Sequence, residues 1–339
     1  MTFVYLYTST MNKKDKLSTL TVKIYHGYGH TNNCTLFGHV FAHNTITRQY
    51  DRSSVWQNIV HLIRLFIIRP VPGIPVRLSW NKQQFLGTTE ADGFLKFEWQ
   101  SSESVPAGWH SLTVDALTDT GTVMGTGTGK IFVPHVTQIA VISDIDDTVL
   151  ISHSSTLFKR LKVLFTRTPR SRKAFTGIVE LYQWLALVRT DAEMPNPFFY
   201  VSSSEWNLYD DLVEFFRFNQ LPEGSFLLNQ VKRWYELFRT GKTKHQGKLL
   251  RILRIMKDFP HQHFILIGDN SQSDPGIYQS IAEKYPDRVM AVYIRSVVAE
   301  HDIETQKILQ HIFQLGISTC LFKHSEEALL HAKKNIVQM

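Results

Sequence analysis

Ile139-Ala140-Val141-Ile142-Ser143-Asp144-Ile145-Asp146-Asp147-Thr148 is the stretch that decides how this chain folds. A short apolar run ends in two carboxylates separated by one residue, with a hydroxyl two positions further on. A run of this length without polar alternation reads as a strand buried on both faces of a parallel sheet. The acids then stand at its carboxyl end, where ligands bind in open α/β sheets. Two acids placed there repel each other and lose hydration, which is costly unless a cation or a reacting substrate needs them. The competing reading is a strand running into an acidic turn, because Asp and Thr also cap helices.

Three downstream elements bear on that choice. Asn196-Pro197-Phe198-Phe199-Tyr200-Val201-Ser202-Ser203-Ser204 is another apolar strand, ending in hydroxyls. Ser202 directly follows the apolar residues and is placed to bond a phosphoryl oxygen, with Ser203 beside it. Any of the three serines would equally cap the helix expected from Glu205. Lys248 opens a helical pattern in Leu249, Leu250, Ile252, Leu253, Ile255 and Met256, and its cation would offset carboxylate and phosphoryl charge. Lys242 and Lys244 are close by, and Lys244 is the nearer alternative. Phe264-Ile265-Leu266-Ile267-Gly268-Asp269-Asn270-Ser271-Gln272-Ser273-Asp274 is a third apolar strand, ending in Gly-Asp with a second Asp five residues on. Gly268 permits a sharp exit, and Asp269 offers the hard oxygen that Mg²⁺ requires.

Asp144-x-Asp146-x-Thr148, Ser202, Lys248 and Gly268-Asp269 with Asp274 match, in order, the motif series of the haloacid-dehalogenase-like phosphatases. The runs 141–149, 196–209 and 267–278 resemble one branch more closely, the actin-patch-protein type phosphatidate phosphatases related to lipins. The resemblance is strong over residues 135–300 and looser before them, at Lys23–Gly29 and Pro106–His110. It implies a three-layer parallel sheet of haloacid-dehalogenase-like type. It also implies a Mg²⁺-dependent phosphatase acting on phosphatidate to release diacylglycerol and phosphate. In these roles Asp144 is the nucleophile that forms an aspartyl phosphate, and Asp146 is the general acid and then base. Mg²⁺ is held by Asp144, the main-chain carbonyl of Asp146 and Asp269, while Asp274 orients metal-bound water. Thr148, Ser202 and Lys248 bind or position phosphoryl oxygens and acids. Two alternatives stay open, a soluble phosphomonoester as substrate and a non-catalytic lipid- or protein-binding module.

Composition agrees with an enzyme of this size. A chain of 339 residues, 43% hydrophobic and 20% charged, can bury the cores of two domains. Cys34 and Cys320 are too few for a disulfide framework, so a reducing cytosol is expected. Met1–Tyr7 is apolar, but its lysines follow it, the wrong order for a secretory signal. The most apolar helix-like stretch, 55–68, contains His61 and Arg64 and falls short of the roughly 20 residues that span a bilayer. The net charge of +7 favours anionic ligands or surfaces; no nucleic-acid partner is expected.

Along the chain, residues 1–19 read as a tail. Residues 20–135 read as strands at 21–25, 36–42, 76–80, 94–99, 111–117 and 129–133, a small β-sandwich. His26, His30, His39 and His43 match no standard metal spacing. Residues 136–339 then alternate strands (139–143, 198–201, 225–228, 264–267, 289–294, 318–322) with helices (177–189, 205–219, 248–258, 276–284, 303–315, 325–334). Such alternation predicts a parallel sheet with right-handed crossovers. One connection stands out. Residues 149–175 lack any acid and interleave Lys159, Arg160, Lys162, Arg167, Arg170, Arg172 and Lys173 with apolar residues. It reads either as a basic flap for a lipid headgroup or anionic membrane, or as a solvated basic helix face.

Overall fold

The computed structural model describes residues 20–30, 33–42, 64, 68–149, 174–229 and 244–337. Strands β1 (Thr21–Ile24), β2 (Gly27–Gly29), β3 (Asn33–Phe41), β4 (Pro75–Trp80), β5 (Gln83–Thr88), β6 (Phe94–Gln100), β7 (Gly108–Leu117) and β8 (Val123–Val133) come first. They join in one hydrogen-bonded sheet ordered β1-β3-β2-β8-β7-β4-β5, with β6 on β3. The expected sandwich is thus one mixed sheet rather than two separate ones. It is antiparallel apart from the parallel β2–β8 pair. The alternating burial of β4 and β6 matches strands with one face on a core and the other toward water. That core comprises Val22, Leu36, Val40, Leu78, Val114 and Ile131 among others.

The second sheet has six parallel strands: β9 (Ile139–Ser143), β10 (Phe198–Glu205), β11 (Ser225–Asn229), β12 (His263–Asp269), β13 (Val289–Arg295) and β14 (Ser318–Phe322). Their order is β11-β10-β9-β12-β13-β14. All five residues of β9 are buried, the outcome the unbroken apolar run requires of a central strand. Helices α1 (Ile178–Leu187), α2 (Tyr209–Phe218), α3 (Lys244–Asp258), α4 (Asp274–Lys284), α5 (Asp302–Gln314) and α6 (Ser325–Asn335) alternate with the strands. α1 packs on α6, while α3, α4 and α5 pack in series. The sheet therefore puts β10 and β12 on either side of β9, and the three motif-bearing strand ends become neighbours.

Several expected bounds shift. Helix α2 starts later than expected, because β10 continues to Glu205 and a 3₁₀ turn, Trp206–Leu208, intervenes. Helix α3 starts at Lys244, so Lys248 lies one turn inside it rather than opening it. The basic segment 150–173 and most of the helix-like stretch 55–68 lie outside the described residues. No described helix is long and apolar enough to cross a membrane.

The two sheets share packing. Tyr25, Tyr28 and Phe37 of the first join the core of the second. Tyr28 meets Phe199 and Phe259 edge-on or tilted, at 5.6 Å between ring centroids in each case. Ser225 Oγ donates to the carbonyl of Gly27 at 2.7 Å.

Candidate active site

Asp144 follows β9, Asp269 ends β12, Asp274 opens α4 and Lys248 reaches across from α3. The Lys248 ammonium donates to Asp144 Oδ1 at 2.6 Å and to Asp274 Oδ1. Thr148 Oγ1 shares its proton between Asp144 Oδ2, at 3.3 Å, and Asp269 Oδ2, at 3.2 Å. One carboxylate oxygen from each of Asp144, Asp269 and Asp274 lies within 4.8 Å of the other two, and all three residues are buried.

Local backbone holds these acids in place. The main-chain N–H of Ser271 donates to Asp269 Oδ1 at 2.6 Å, and that of Asp269 donates to Asp274 Oδ2 at 3.3 Å. Gly268 has to be glycine for a packing reason. A Cβ there would stand 2.9 Å from both the Asp274 Cβ and the Tyr278 ring. Asp147 takes a left-handed φ of 59°, one of the few non-glycine residue types that tolerate it. This turns the chain between the two ends of the first motif.

Asp146 faces a different set of partners. Ser202 Oγ and Ser204 Oγ each donate to its Oδ2 at 3.0 Å. The N–H of Ser204 donates to Ser202 Oγ at 2.9 Å, closing the arrangement. The Asp146 carboxylate is thus outside the three-acid cluster, and only its main chain remains for the metal role expected of it. Ser203 contributes its carbonyl to Asn229 Nδ2 at 3.0 Å, so Ser204, not Ser203, joins Ser202 at the acid. Strand alternation is the sequence signal for this, because residues two apart share a face. The Arg251 guanidinium donates to the Ser202 carbonyl at 3.3 Å and to Asn229 Oδ1 at 2.9 Å.

Burial pushes the Asp144 carboxyl well above the usual range, and repulsion from Asp274, Asp269 and Asp146 adds to this against the pull of Lys248. Burial and then Asp274 push Asp269 up to about 7, with the Ser271 hydrogen bonds opposing. Burial alone would make Lys248 a weaker base, but Asp144 and Asp274 overcome it and raise its pKa. Three buried acids, Asp144, Asp269 and Asp274, gather around the one Lys248 ammonium. A pocket of hard oxygen donors with excess negative charge is chemically suited to a divalent cation such as Mg²⁺. The residues present fit that group.

Arg295, which did not stand out in the sequence, ends β13 in register with Asp269. It is 2% exposed. Its Nε donates to the Thr148 carbonyl at 3.2 Å and its Nη2 to Ser325 Oγ at 2.7 Å. Its guanidinium lies 4.1 Å from the centroid of the Phe175 ring. The Phe175 N–H donates to the Val149 carbonyl at 3.1 Å. The chain thus leaves the site at Val149 and returns to the same place at Phe175. The Lys244 side chain lies outside the described residues.

The family described as "Phosphatidate phosphatase APP1, catalytic domain" matches residues 139–296, a span containing every site residue named above. The curated phosphatidate phosphatase APP1 of Saccharomyces cerevisiae is 26% identical over 275 residues, covering 75% of this chain and 44% of that protein. An uncharacterised protein of Schizosaccharomyces pombe is 25% identical over 166 residues, covering 48% of this chain and 26% of the other. The chain therefore spans less than half the length of either yeast relative. Among solved structures, a carbohydrate acetylesterase from Xanthomonas citri covers 94% of this chain and 76% of its own, at 10% identity. Its TM-score is 0.35, too low to bear on fold or function. Across residues 139–296 the chain resembles the catalytic domain of a phosphatase enzyme, of the phosphatidate phosphatase APP1 type.

Proposed function

We propose that this protein is a Mg²⁺-dependent phosphatidate phosphatase with a catalytic domain of haloacid-dehalogenase-like, three-layer type spanning residues 136–339. A smaller β-domain, residues 20–135, precedes it. The observation that carries the reading is the separation of two carboxylates one residue apart. Asp144 joins Asp269 and Asp274 around Lys248, while Asp146 is held on two serine hydroxyls. One acid is set among charges that suit a nucleophile beside a cation, and the other is set apart to exchange a proton.

In the proposed reaction Asp144 attacks phosphorus and the bond to the glyceryl oxygen breaks. Asp146 delivers its proton to that departing oxygen, then takes a proton from the water that hydrolyses the aspartyl phosphate. A carboxylic acid at Asp146 can hold its proton on the oxygen that accepts no serine bond. Lys248 and the Thr148 hydroxyl orient Asp144 and bind phosphoryl oxygens as the ground-state hydrogen bonds rearrange. Asp144, the Asp146 carbonyl and Asp269 would hold Mg²⁺, with Asp274 beside them. Bound there, the ion neutralises phosphoryl charge and acts as a Lewis acid.

A lipid substrate is supported by the resemblance and by the basic segment 149–175, which would meet an anionic membrane surface. The two described cysteines are free thiols, in keeping with a cytosolic protein that visits membranes peripherally. Phosphate release from phosphatidate vesicles, lysophosphatidate, glycerol phosphate and sugar phosphates, each with Mg²⁺ and with EDTA, tests the proposal. Mg²⁺-dependent turnover greatest on phosphatidate is expected. Preference for a soluble ester would remove the lipid assignment, and no turnover would remove the enzyme assignment.

A further inference from the structure

The serine pair that holds Asp146 sits where the sheet itself gives little support. Strand β9 pairs with β10 only as far as Tyr200. The β10–β11 register breaks between Val201 and Glu205. Residues 202–204 thus span a break in the ladder that closes again at Glu205 and Asn229. Arg251 and Asn229 bond the Ser202 and Ser203 carbonyls, and the packing that follows holds the Ser204 end.

Trp206, two residues after Ser204, is 5% exposed. Its closest aromatic neighbour comes from the first sheet. Tyr25 stacks on the indole with ring centroids 4.1 Å apart and planes 15° from parallel. Phe37, also of the first sheet, lies 6.2 Å away. Tyr25 is itself immobilised, by its N–H to the Phe37 carbonyl at 2.9 Å and by a 2.9 Å bond between its hydroxyl and His39 Nδ1. The same corner is gripped again just downstream. The His26 N–H donates to the Tyr209 hydroxyl at 3.0 Å, and Lys23 pairs with Asp210 at 2.6 Å.

We infer that the N-terminal sheet is a working part of the catalytic site: Tyr25, stacked on Trp206, positions Ser204 and through it the Asp146 carboxyl. Tyr25 touches no reacting atom, so it is a positioning residue. The inference rests on the reading of Asp146 as general acid. It gives the first sheet a role in leaving-group protonation and means that residues 139–296 do not suffice for full activity. Displacing a catalytic group by about 1 Å is enough to cost orders of magnitude in rate.

The test uses the full chain and compares turnover of an alkyl phosphate, glycerol phosphate, with that of 4-nitrophenyl phosphate, whose leaving group needs no protonation. Asp146→Asn is the reference. It should lose about 100-fold or more on the alkyl ester and far less on the aryl ester; equal losses would overturn the general-acid reading and this inference with it. Given that reference, Tyr25→Leu, which removes the stack, should lose about tenfold on the alkyl ester and less than about threefold on the aryl ester. Tyr25→Phe keeps the stack and should stay within about twofold of wild type on both. Phe37→Leu removes a neighbouring ring from the same indole and should give the same alkyl-selective signature, so the test survives if Tyr25→Leu fails to fold. Equal losses on both esters would make Tyr25 merely structural, and no loss on either would uncouple the sheet from the acid. Either result overturns the inference while leaving Asp146 in its role.

Discussion

Replacing Lys248 with Met is the sharpest perturbation of the site's charge balance. The ammonium lies 2.6 Å from Asp144 Oδ1 and also bonds Asp274 Oδ1. The side chains of Lys248, Asp144 and Asp274 are 7%, 6% and 1% exposed. Methionine keeps most of the volume, so the loss is electrostatic. Removing one partner of a buried ion pair costs about 3–5 kcal/mol, because the remaining charge is left uncompensated. Here two carboxylates are left, with Asp269 a third nearby. In a chain of 339 residues each kcal/mol lowers the melting temperature by about 1–2 °C, so a drop of about 3–10 °C is expected at pH 8 in EDTA. Burial already pushes the Asp144 carboxyl up, and losing the Lys248 cation pushes it further, so as pH falls towards 5 Asp144 takes up a proton and the deficit should shrink. Saturating Mg²⁺ should restore part of it. Thermal scans by circular dichroism under these three conditions, with turnover of 4-nitrophenyl phosphate as a parallel readout, measure each of these effects. A variant melting within about 2 °C of wild type at pH 8 without metal would refute the claim that Lys248 compensates buried charge.

Other expectations follow from the same geometry. Asp144→Asn should remove turnover while keeping the fold; activity within about tenfold of wild type would refute its role as nucleophile. The folded pKa of Asp269, pushed up to about 7, lies above its unfolded value. The folded state therefore binds the extra proton between about pH 4 and 7. Metal-free stability should rise, from this group, by up to about 4 kcal/mol as pH falls through that window. Urea titrations of wild type and Asp269→Asn in EDTA check the sign, and a wild-type stability that falls over that range no less than the variant's would contradict it. Gly268→Ala puts a methyl 2.9 Å from the Asp274 Cβ, so it should raise the Mg²⁺ needed for half-maximal rate; an unchanged Mg²⁺ titration would show that Asp274 is free to move. Joint change of Lys159, Arg160, Lys162, Arg170, Arg172 and Lys173 to Gln should weaken turnover on anionic vesicles, at about 1 kcal/mol for each cation that no longer meets the surface, and spare soluble esters. Equal impairment of both would tie the segment to the cleft.

The parallel sheet was legible because its strands are unbroken apolar runs, and no other element accommodates Ile139–Ser143 or Phe264–Ile267 so simply. The site followed from the same runs, since acids at the ends of neighbouring strands must meet. What escaped was decided by tertiary packing. Gly27 and Gly29 disfavour a strand, and the segment pairs because its neighbours approach closely; a Cβ on Gly27 would stand 2.9 Å from the Ile131 side chain. The alternation that pairs Ser204 with Ser202 went unused because the strand was expected to stop at Val201, whereas it runs on to Glu205. Arg295 looks like an ordinary polar strand end, yet it is buried against Thr148, and only the fold reveals that. The break between β10 and α2 was hidden because Trp206 and Tyr209 have helical spacing while their rings serve the packing against Tyr25.

The 3.1 Å bond between Phe175 and Val149, beside the Arg295 guanidinium, brings the two ends of the intervening stretch together at one point. Doubling the length of such an excursion adds only about 0.6 kcal/mol of closure entropy. Evolution can therefore lengthen, shorten or recompose it with little effect on Asp144, Thr148 or the sheet. Mutational drift within that stretch is in this way insulated from drift in the catalytic frame.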